Sequence, residues 1–517
     1  AMRSFTHMLP TMLLVGWSSV AFSQAPLWID SLPAEPSAAY TLLDFCTDSA
    51  GNSYAMLHRW NWDIPVDEVH LVAYDTYGTL LWRDTLAQGT YVGDMAIAPG
   101  GDIILSTSTD LTNNGDIVTY RYAPSGSLVW SAVFNGTGNA LDTPFRVHGD
   151  AAGNTFVSGM TMSQAPYGQD ALVIGYSPLG VELFATAYDL PALPVGEGLG
   201  LTNDADGFVY LTGSCSDADS SSIFTLQVDL SGTVQWVHHH RAGVHGTGQF
   251  VHVMPGGNIR TTGVADTLAN AYRMRCYTYD QAGTVIDSFA YGAPLIVSDV
   301  AIGAGGIEYV FGRHGASDRY LAAFAPDHTV LWEVIEPSTT LNYTFDLAMS
   351  AAEDLFTASA YQATPPQVAG SVRKYDDLGT PLWNNGPDSM LPRYQQAAVE
   401  LDDAGNLYVA FASPTFEATQ PALLVMKYGL ALQVPEDRVR EPSITIRPNP
   451  TTDAVTITAG QRIEQLTVVD LSGRVVHRQT ANTDEVKLDL SHLSPGMYTV
   501  VVVTPAGTSG ERLVVER

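Results

Sequence analysis

The sequence predicts an all-β chain in two parts, a long repeated array and a small separate sandwich. Three observations carry that prediction. No window sustains the apolar periodicity of an amphipathic helix, whereas short apolar runs bounded by Gly, Pro, Asn and Asp recur throughout. Charged residues make up only 15% of the 517, while Gly (46) and Pro (29) are plentiful, which suits many short strands joined by tight turns. A unit of roughly 45 to 50 residues repeats along the chain and then stops before the C-terminus.

The first residues stand outside the array. Arg3, the apolar stretch at 8–20 and Ala21-Phe22-Ser23 before Gln24 have the layout of a secretory signal peptide over 1–23, cut after Ser23. Pro10 and Gly16 interrupt that stretch, and no later segment reaches roughly 20 apolar residues, so no membrane span is expected.

Each repeat contributes two strand–turn–strand pieces, hence four strands. The first turn recurs at Gly51, Gly101, Gly153, Gly207, Gly257, Gly306, Ala352-Glu353-Asp354 and Gly405. The second recurs at Gly78, Gly126, Gly180, Gly232, Gly283, Asp327-His328 and Gly379; four residues later stands Trp82, Trp130, Phe184, Trp236, Asp287, Trp332 or Trp383. Gly beside Asn, Asp or Gly supplies the positive φ that tight hairpins require, and a large aromatic can fill the gap between neighbouring sheets.

There are thus eight first turns and only seven second turns, because the last unit ends at Tyr428-Gly429 without its Trp strand. Pro26-Leu27-Trp28 at the other end copies Pro381-Leu382-Trp383. If that segment pairs into the last unit, the array closes on itself and leaves no long unpaired edge. The expectation is an eight-bladed β-propeller over 24–430, closed by its N-terminal strand. Seven blades are the alternative, and would require one glycine turn to be a false repeat.

Asp402-Asp403-Ala404-Gly405-Asn406-Leu407-Tyr408-Val409 and Ser298-Asp299-Val300-Ala301-Ile302 resemble bacterial propeller repeats of the form DIAVDxxGNxYV. Tyr74-Asp75-Thr76-Tyr77-Gly78-Thr79-Leu80-Leu81-Trp82 and Tyr375-Asp376-Asp377-Leu378-Gly379-Thr380-Pro381-Leu382-Trp383 are similar to the tryptophan-docking repeats of quinoprotein-like propellers. These resemblances imply a fold and leave the function open, since propellers host binders, hydrolases, lyases and oxidoreductases. Quinoprotein enzymes commonly carry adjacent cysteines; Cys46, Cys215 and Cys276 lie far apart, which disfavours redox catalysis. The three read as small buried hydrophobes, with one bridge among them left open.

Residues 431–443 carry five charges and prolines near each end, the composition of an exposed linker. Beyond it, about seven short alternating runs fill 444–517 and predict an Ig-like sandwich. Arg447-Pro448-Asn449-Pro450, Val469-Asp470-Leu471-Ser472-Gly473-Arg474 and Leu493-Ser494-Pro495-Gly496-Met497-Tyr498 occur here in order. They resemble the type A C-terminal sorting domain of the type IX secretion system of Bacteroidota, although Arg447 stands where that family usually has an aromatic residue. The resemblance implies export across the outer membrane, partnership with the type IX machinery, and cargo that is attached to the surface or released.

The formal charge of −30 repels phosphate backbones and anionic headgroups, which argues against nucleic acid and membrane-surface partners. Seven residues before the first turn the units carry Asp44, Asp94, Arg146, Gly200, Phe250, Asp299, Asp346 and Ala398. The four aspartates would converge on a channel mouth if this strand lines an axis, and there could bind a polar ligand or cation; the alternative is a structural hydrogen-bonding role. His238 and His240 share one face of a strand and are the candidate metal pair, against the alternative of a polar strand end. Asn203-Asp204-Ala205-Asp206-Gly207 has the opening of a calcium loop without its distant Glu, so no cofactor is expected and calcium is the one whose ligand types occur. No GxSxG, HExxH or P-loop motif occurs, and no catalytic residues are assigned. The favoured reading is a secreted or surface binder of a glycan or protein ligand, with an extracellular hydrolase or lyase as the alternative. An enzyme should show convergent carboxylates, His, Arg or Tyr in a deep axial pocket; a binder should show a shallow or apolar-rimmed face.

Overall fold

The structure, a computed structural model, describes residues 26–429 and 444–516 apart from short stretches at 34, 36, 62, 64–66, 87–92, 110–113, 138, 164–167, 189–194, 217–219, 244, 267–271, 339–341, 363–367, 386–395, 413–420, 471–474 and 505–506. The expected signal peptide and linker therefore lie outside the described residues. The chain divides into two compact units, 1–430 and 431–517.

The first unit is all-β and consistent with a propeller. Its antiparallel four-strand meanders, numbered here in chain order, are sheets I (38–86), II (93–134), III (142–188), IV (195–243), V (245–290), VI (295–336) and VII (342–385). Sheets III and IV share a single parallel bridge, Gln169 to Val195, and so join into one eight-stranded sheet. Sheet VIII has three strands from 396–428 and a fourth from the other end of the unit: Trp28–Pro33 pairs antiparallel with Pro421–Tyr428, Trp28 opposite Lys427. Each sheet packs on the next, and sheet VIII packs on sheet I through a shared cluster that includes Tyr40, Val72, Tyr408 and Val425, with Trp28 against it.

Strand burial follows from this stacking. The second strand of sheet II, Ile103–Ser108, and that of sheet VIII, Leu407–Ala412, are buried at every residue, because both of their faces meet another sheet. Outer strands such as Leu128–Phe134 alternate exposed and covered residues, because they form the rim.

Both families of turns take the predicted left-handed conformation. Gly78, Gly126 and Gly180 have φ of 83°, 85° and 77°, and where the repeat lacks glycine, His328 (63°) and Glu353 (61°) hold the same backbone shape. At the second turns the glycine has a further reason: a Cβ on Gly126 would lie 2.8 Å from the Trp82 ring, and one on Gly78 would lie 2.7 Å from Trp28. In sheets I, II, III, IV, VI and VIII the aromatic therefore docks on the turn glycine of the next. Its indole N–H donates to the carbonyl two residues before the glycine, Trp82 to Pro124 at 2.9 Å, Trp332 to Asp377 at 2.8 Å and Trp28 to Thr76 at 2.9 Å.

Much of the acidity is spent in these turns. Asp48 accepts from the Ala50 and Asn52 amides and from the Tyr54 hydroxyl; Asp402 accepts from the Asn406 amide and side chain. Asp75 accepts from Tyr77 and Thr79 in the second turn. Aspartate is suited to this role because its short side chain reaches backbone amides two and four residues ahead.

The second unit is one five-stranded sheet curled into a near-barrel, not seven short strands. Two expected pairs of strands are continuous: Ala454–Asp470 and Val475–Asp489 run on through register shifts where turns were expected. Irregularities of this kind bend a strand without ending it, so both strands cover a core that includes Ile457, Leu466, Leu488 and Leu513. The Asn449 side chain accepts from the Val514 amide at 2.9 Å, and Thr451 bridges Val515, which joins the first segment to the last strand.

Candidate functional site

In sheets I, III, IV, V, VI and VII the first strand slips register one residue before the position that carries Asp44 and its counterparts. Each slip is a bulge, and a bulge re-aims the side chains around it. First strands of six sheets, five of them bulged (I, III, V, VI and VII) and the regular one of sheet VIII, line one cavity of about 430 Å³. Its polar lining includes Asp44, Asp299 and Asp346; Arg146, His252 and Glu400 face it as well, with Phe250 and Phe345 as aromatic walls.

The aspartates share one geometry. One oxygen of Asp44 accepts from the Phe45 amide at 2.8 Å and the other from the Met95 amide of the next sheet at 2.7 Å. Asp299 bonds Val300 and Leu347 in the same way, and Asp346 bonds Leu347 and Val399. Asp94 accepts from the Val147 amide at 2.7 Å and, with its other oxygen, from Arg146 Nη1 at 2.9 Å. Each carboxylate thus staples its own first strand to that of the following sheet, which occupies the oxygens that sequence reasoning offered to a ligand. Asp94 does not line the cavity itself and touches it through Arg146.

The cavity is electrostatically crowded. Burial, with the Asp94 charge second, holds the Asp44 carboxyl well above its usual range; burial and then Asp346 do the same to Asp299. Burial raises Asp346 too. Glu400 is pushed well above its ordinary value by burial and then by Asp346, Asp44 and Asp299. Asp94 strengthens the charge on Arg146, whose side chain keeps 50% of its surface open although it lies deep among first strands, because that surface faces the cavity. Burial lowers His252 to about 4, so its ring is neutral at physiological pH, and its Nδ1 is buried without a hydrogen-bond partner among the described residues.

Arg146, His252 and Glu400 are ionisable groups of the lining with capacity left for a ligand, and sequence reasoning did not select them. The available signal was departure from the repeat: Arg146 stands where four units have Asp, and Glu400 and His252 stand two residues after that position, where sheets II, VI and VII have alanine.

His238 and His240 do share one face of the strand Val234–Gly243, their rings 6.1 Å apart. Each has a partner within the protein: His238 Nε2 meets the Gly283 carbonyl, and His240 Nε2 lies 2.9 Å from the Tyr279 hydroxyl while its ring stacks on Tyr277. Burial, with His238 and His239 adding, lowers His240 to about 4. In the calcium-like segment, Asp204 accepts from the Asp206 and Phe208 amides and from the Tyr210 hydroxyl, the same turn cap that Asp48 forms. Cys46, Cys215 and Cys276 are buried and unbridged.

The chain's C-terminal segment 445–516 matches the model of the secretion system C-terminal sorting domain. It is a type IX sorting tail. Such a tail marks the chain for the cell surface or the extracellular space and for recognition by the type IX machinery. Among the described residues no helix is long and apolar enough to cross a membrane. No curated protein matches the sequence. The chain is similar to PorZ, a surface component of the type IX secretion system of Porphyromonas gingivalis, at 13% identity over 92% of this chain and 70% of that one, with a TM-score of 0.36. It is also similar to a eukaryotic initiation factor, at 11% identity over 87% of this chain and 90% of that one (TM-score 0.41), and to an ulvan lyase of polysaccharide lyase family 25, at 12% over 64% and 90% (TM-score 0.39).

Proposed function

We propose that the exported chain is a glycan-binding protein, in which an eight-bladed propeller over 24–430 receives a sugar in its axial cavity. A signal peptide at 1–23 and a linker at 431–443 separate the propeller from the start of the chain and from the tail at 444–517. The cyclic packing of eight meanders, with the Trp28 strand completing the last, supports eight blades over seven, and the lone Gln169–Val195 bridge is then a contact between two blades.

The observation that carries the reading is the combination in one cavity of Arg146 and Glu400 with Phe250 and Phe345. Guanidinium and carboxyl groups bond sugar hydroxyls while aromatic rings cover the apolar ring faces. A volume of about 430 Å³ falls at the small end of ligand pockets, the size of one or two sugar units. A protein ligand would need a broader surface, so a glycan fits better.

A second reading, a hydrolase or lyase, is favoured by one observation. Glu400 holds its proton above the ordinary carboxyl range, as a general acid must, and His252 is a neutral base beside the same cavity.

A glycan array probed with the mature chain tests both readings. Native protein should bind a subset of glycans, and Arg146→Met should weaken that binding roughly 10- to 100-fold, the worth of a charged hydrogen bond. Binding without turnover on the same glycans supports the first reading, whereas cleavage that Glu400→Gln abolishes supports the second. A panel on which native and Arg146→Met proteins behave alike refutes the cavity as the site.

A further inference from the structure

The interface between sheets V and VI breaks the repeat at several residues together, and most of the replacements are metal-ligand types. Elsewhere an aromatic ring lies on a second-turn glycine, as Trp236 lies on Gly283. Here Asp287 occupies the aromatic position and His328 the glycine position, and the two face each other, His328 Nε2 3.1 Å from Asp287 Oδ2. Two residues past the first turn, where other units place Ser53, Ile103, Thr155, Val209, Ile259, Leu355 and Leu407, this one places Glu308, which has no exposed surface. Cys276 takes a position held by Leu71, Val173, Leu321 and Val372 in other sheets.

These departures converge. One nitrogen of His328, Cys276 Sγ and one carboxylate oxygen of Glu308 all lie within 4.8 Å of one another, the one such group among the described residues. The His328 side chain is only 4% exposed, and neither ring nitrogen makes a well-formed hydrogen bond; the Asp287 contact has the distance of an ion pair without the angle of a hydrogen bond. A buried imidazole in that state is costly unless something else engages it. His328 also keeps a φ of 63°, which for a residue other than glycine costs of order 1 kcal/mol and persists only where the surroundings require it.

We propose that Cys276, Glu308 and His328 form a structural site for a divalent transition metal of the zinc type, with Asp287 closing the coordination from the rim. Thiolate, imidazole and carboxylate together suit zinc and are wrong for calcium or magnesium, which take oxygen ligands. Bonds of roughly 2.0 to 2.3 Å place tetrahedral ligand atoms about 3.5 Å apart, so the cluster must contract by about 1 Å at its widest. The charges balance: three anionic ligands offset the dication together with the Arg260 guanidinium, which lies 3.3 Å from Glu308 Oε2 and is anchored on the Pro326 carbonyl at 2.7 Å. Arg260 orients the Glu308 carboxylate from behind, and the half-exposed Asp287 gives the ion its way in. The Phe289 ring stacks on His328 with centroids 4.8 Å apart, and beside it the metal would stand where a tryptophan dock joins most other sheets.

The test uses untagged full-length chain, stripped with a chelator and then loaded with zinc or cobalt. One zinc per chain should survive desalting, and the cobalt form should show a near-ultraviolet thiolate-to-metal charge-transfer band. Cys276→Ser should lose that band. His328→Gly restores the residue most other turns carry, so it should keep the native far-UV circular dichroism while zinc affinity falls at least about tenfold. Because His238 and His240 remain in this variant, retention of zinc by folded His328→Gly at the native level would overturn the proposal. So would a cobalt band that persists in Cys276→Ser, or a folded native chain that takes up no metal.

Discussion

Removing the N-terminal strand is the sharpest perturbation of the first unit, and Trp28→Ala is its smallest form. The Trp28 ring is half-buried against the Tyr408 cluster and the Gly78 turn. Truncating a fully buried aromatic costs about 3–5 kcal/mol, so about 2–3 kcal/mol is expected for this ring. Loss of the indole bond to the Thr76 carbonyl adds about 1 kcal/mol. With a urea m-value of about 3 kcal/mol/M or somewhat more for a chain this long, a total near 3 kcal/mol lowers the unfolding midpoint by about 1 M, read by far-UV circular dichroism. Deleting 24–33 altogether strips the partner from Pro421–Tyr428 and leaves an exposed strand edge, so the truncated chain should self-associate in light scattering. A synthetic peptide of residues 24–35 should restore both midpoint and monomer by adding back the strand. If Trp28→Ala keeps the native midpoint and the truncated chain stays monomeric, the strand does not close the unit.

Three further outcomes follow from the same geometry. Gly126→Ala, which forces a Cβ to 2.8 Å from Trp82 at a φ of 85°, should cost about 2 kcal/mol or more in a urea melt, whereas alanine at Gly100, with nothing within 4 Å, should cost only its backbone strain of about 1 kcal/mol. Glu353→Gly should relieve about 1 kcal/mol of left-handed strain but lose carboxylate bonds to the Ala304 amide and the Tyr309 hydroxyl, each worth about 1.5–3 kcal/mol, so the net effect is destabilisation; a gain in stability would contradict the hydrogen-bond assignment. Glu400 has a folded-state pKa above its unfolded value, so its contribution is most favourable below about pH 4.3 and is lost as pH rises through the folded value. Glu400→Gln should therefore be more stable than the native chain at pH 7 and flatten the decline of stability above pH 4.3; equal slopes in parallel melts would remove the cavity electrostatics from the account.

How much of the candidate site was legible depended on whether a residue obeyed the repeat or broke it. Asp44, Asp94, Asp299 and Asp346 obeyed it and stood out as a set, yet recurrence reflects a shared structural task, and the structure gives their oxygens to backbone amides. Arg146, Glu400, Cys276, Glu308 and His328 broke it. Their meeting places depend on which strands of different sheets face each other, and spacing along the chain does not encode that. The tail shows the same limit locally: alternation marked where apolar residues lie, but a bulge and a turn leave the same interruption in the pattern, so continuous strands such as Ala454–Asp470 read as pairs.

By itself the sequence determined the all-β class, the repeat and its turn positions, the pairing of the Trp28 segment with the last unit, and the identity of the sorting tail. The first three rest on short-range chemistry, with glycine where φ must be positive, aspartate where amides need a cap, and a fixed spacing to the aromatic that docks on the next turn; the tail rests on three ordered motifs that resemble a known sorting domain. Only the tertiary structure decided that first strands of six sheets, five of them bulged, line one cavity, that Arg146 and Glu400 face it, and that His328 meets Asp287 where glycine meets tryptophan elsewhere. Those contacts join residues from separate sheets, and their energies depend on burial and on neighbouring charges that exist only once the sheets have stacked.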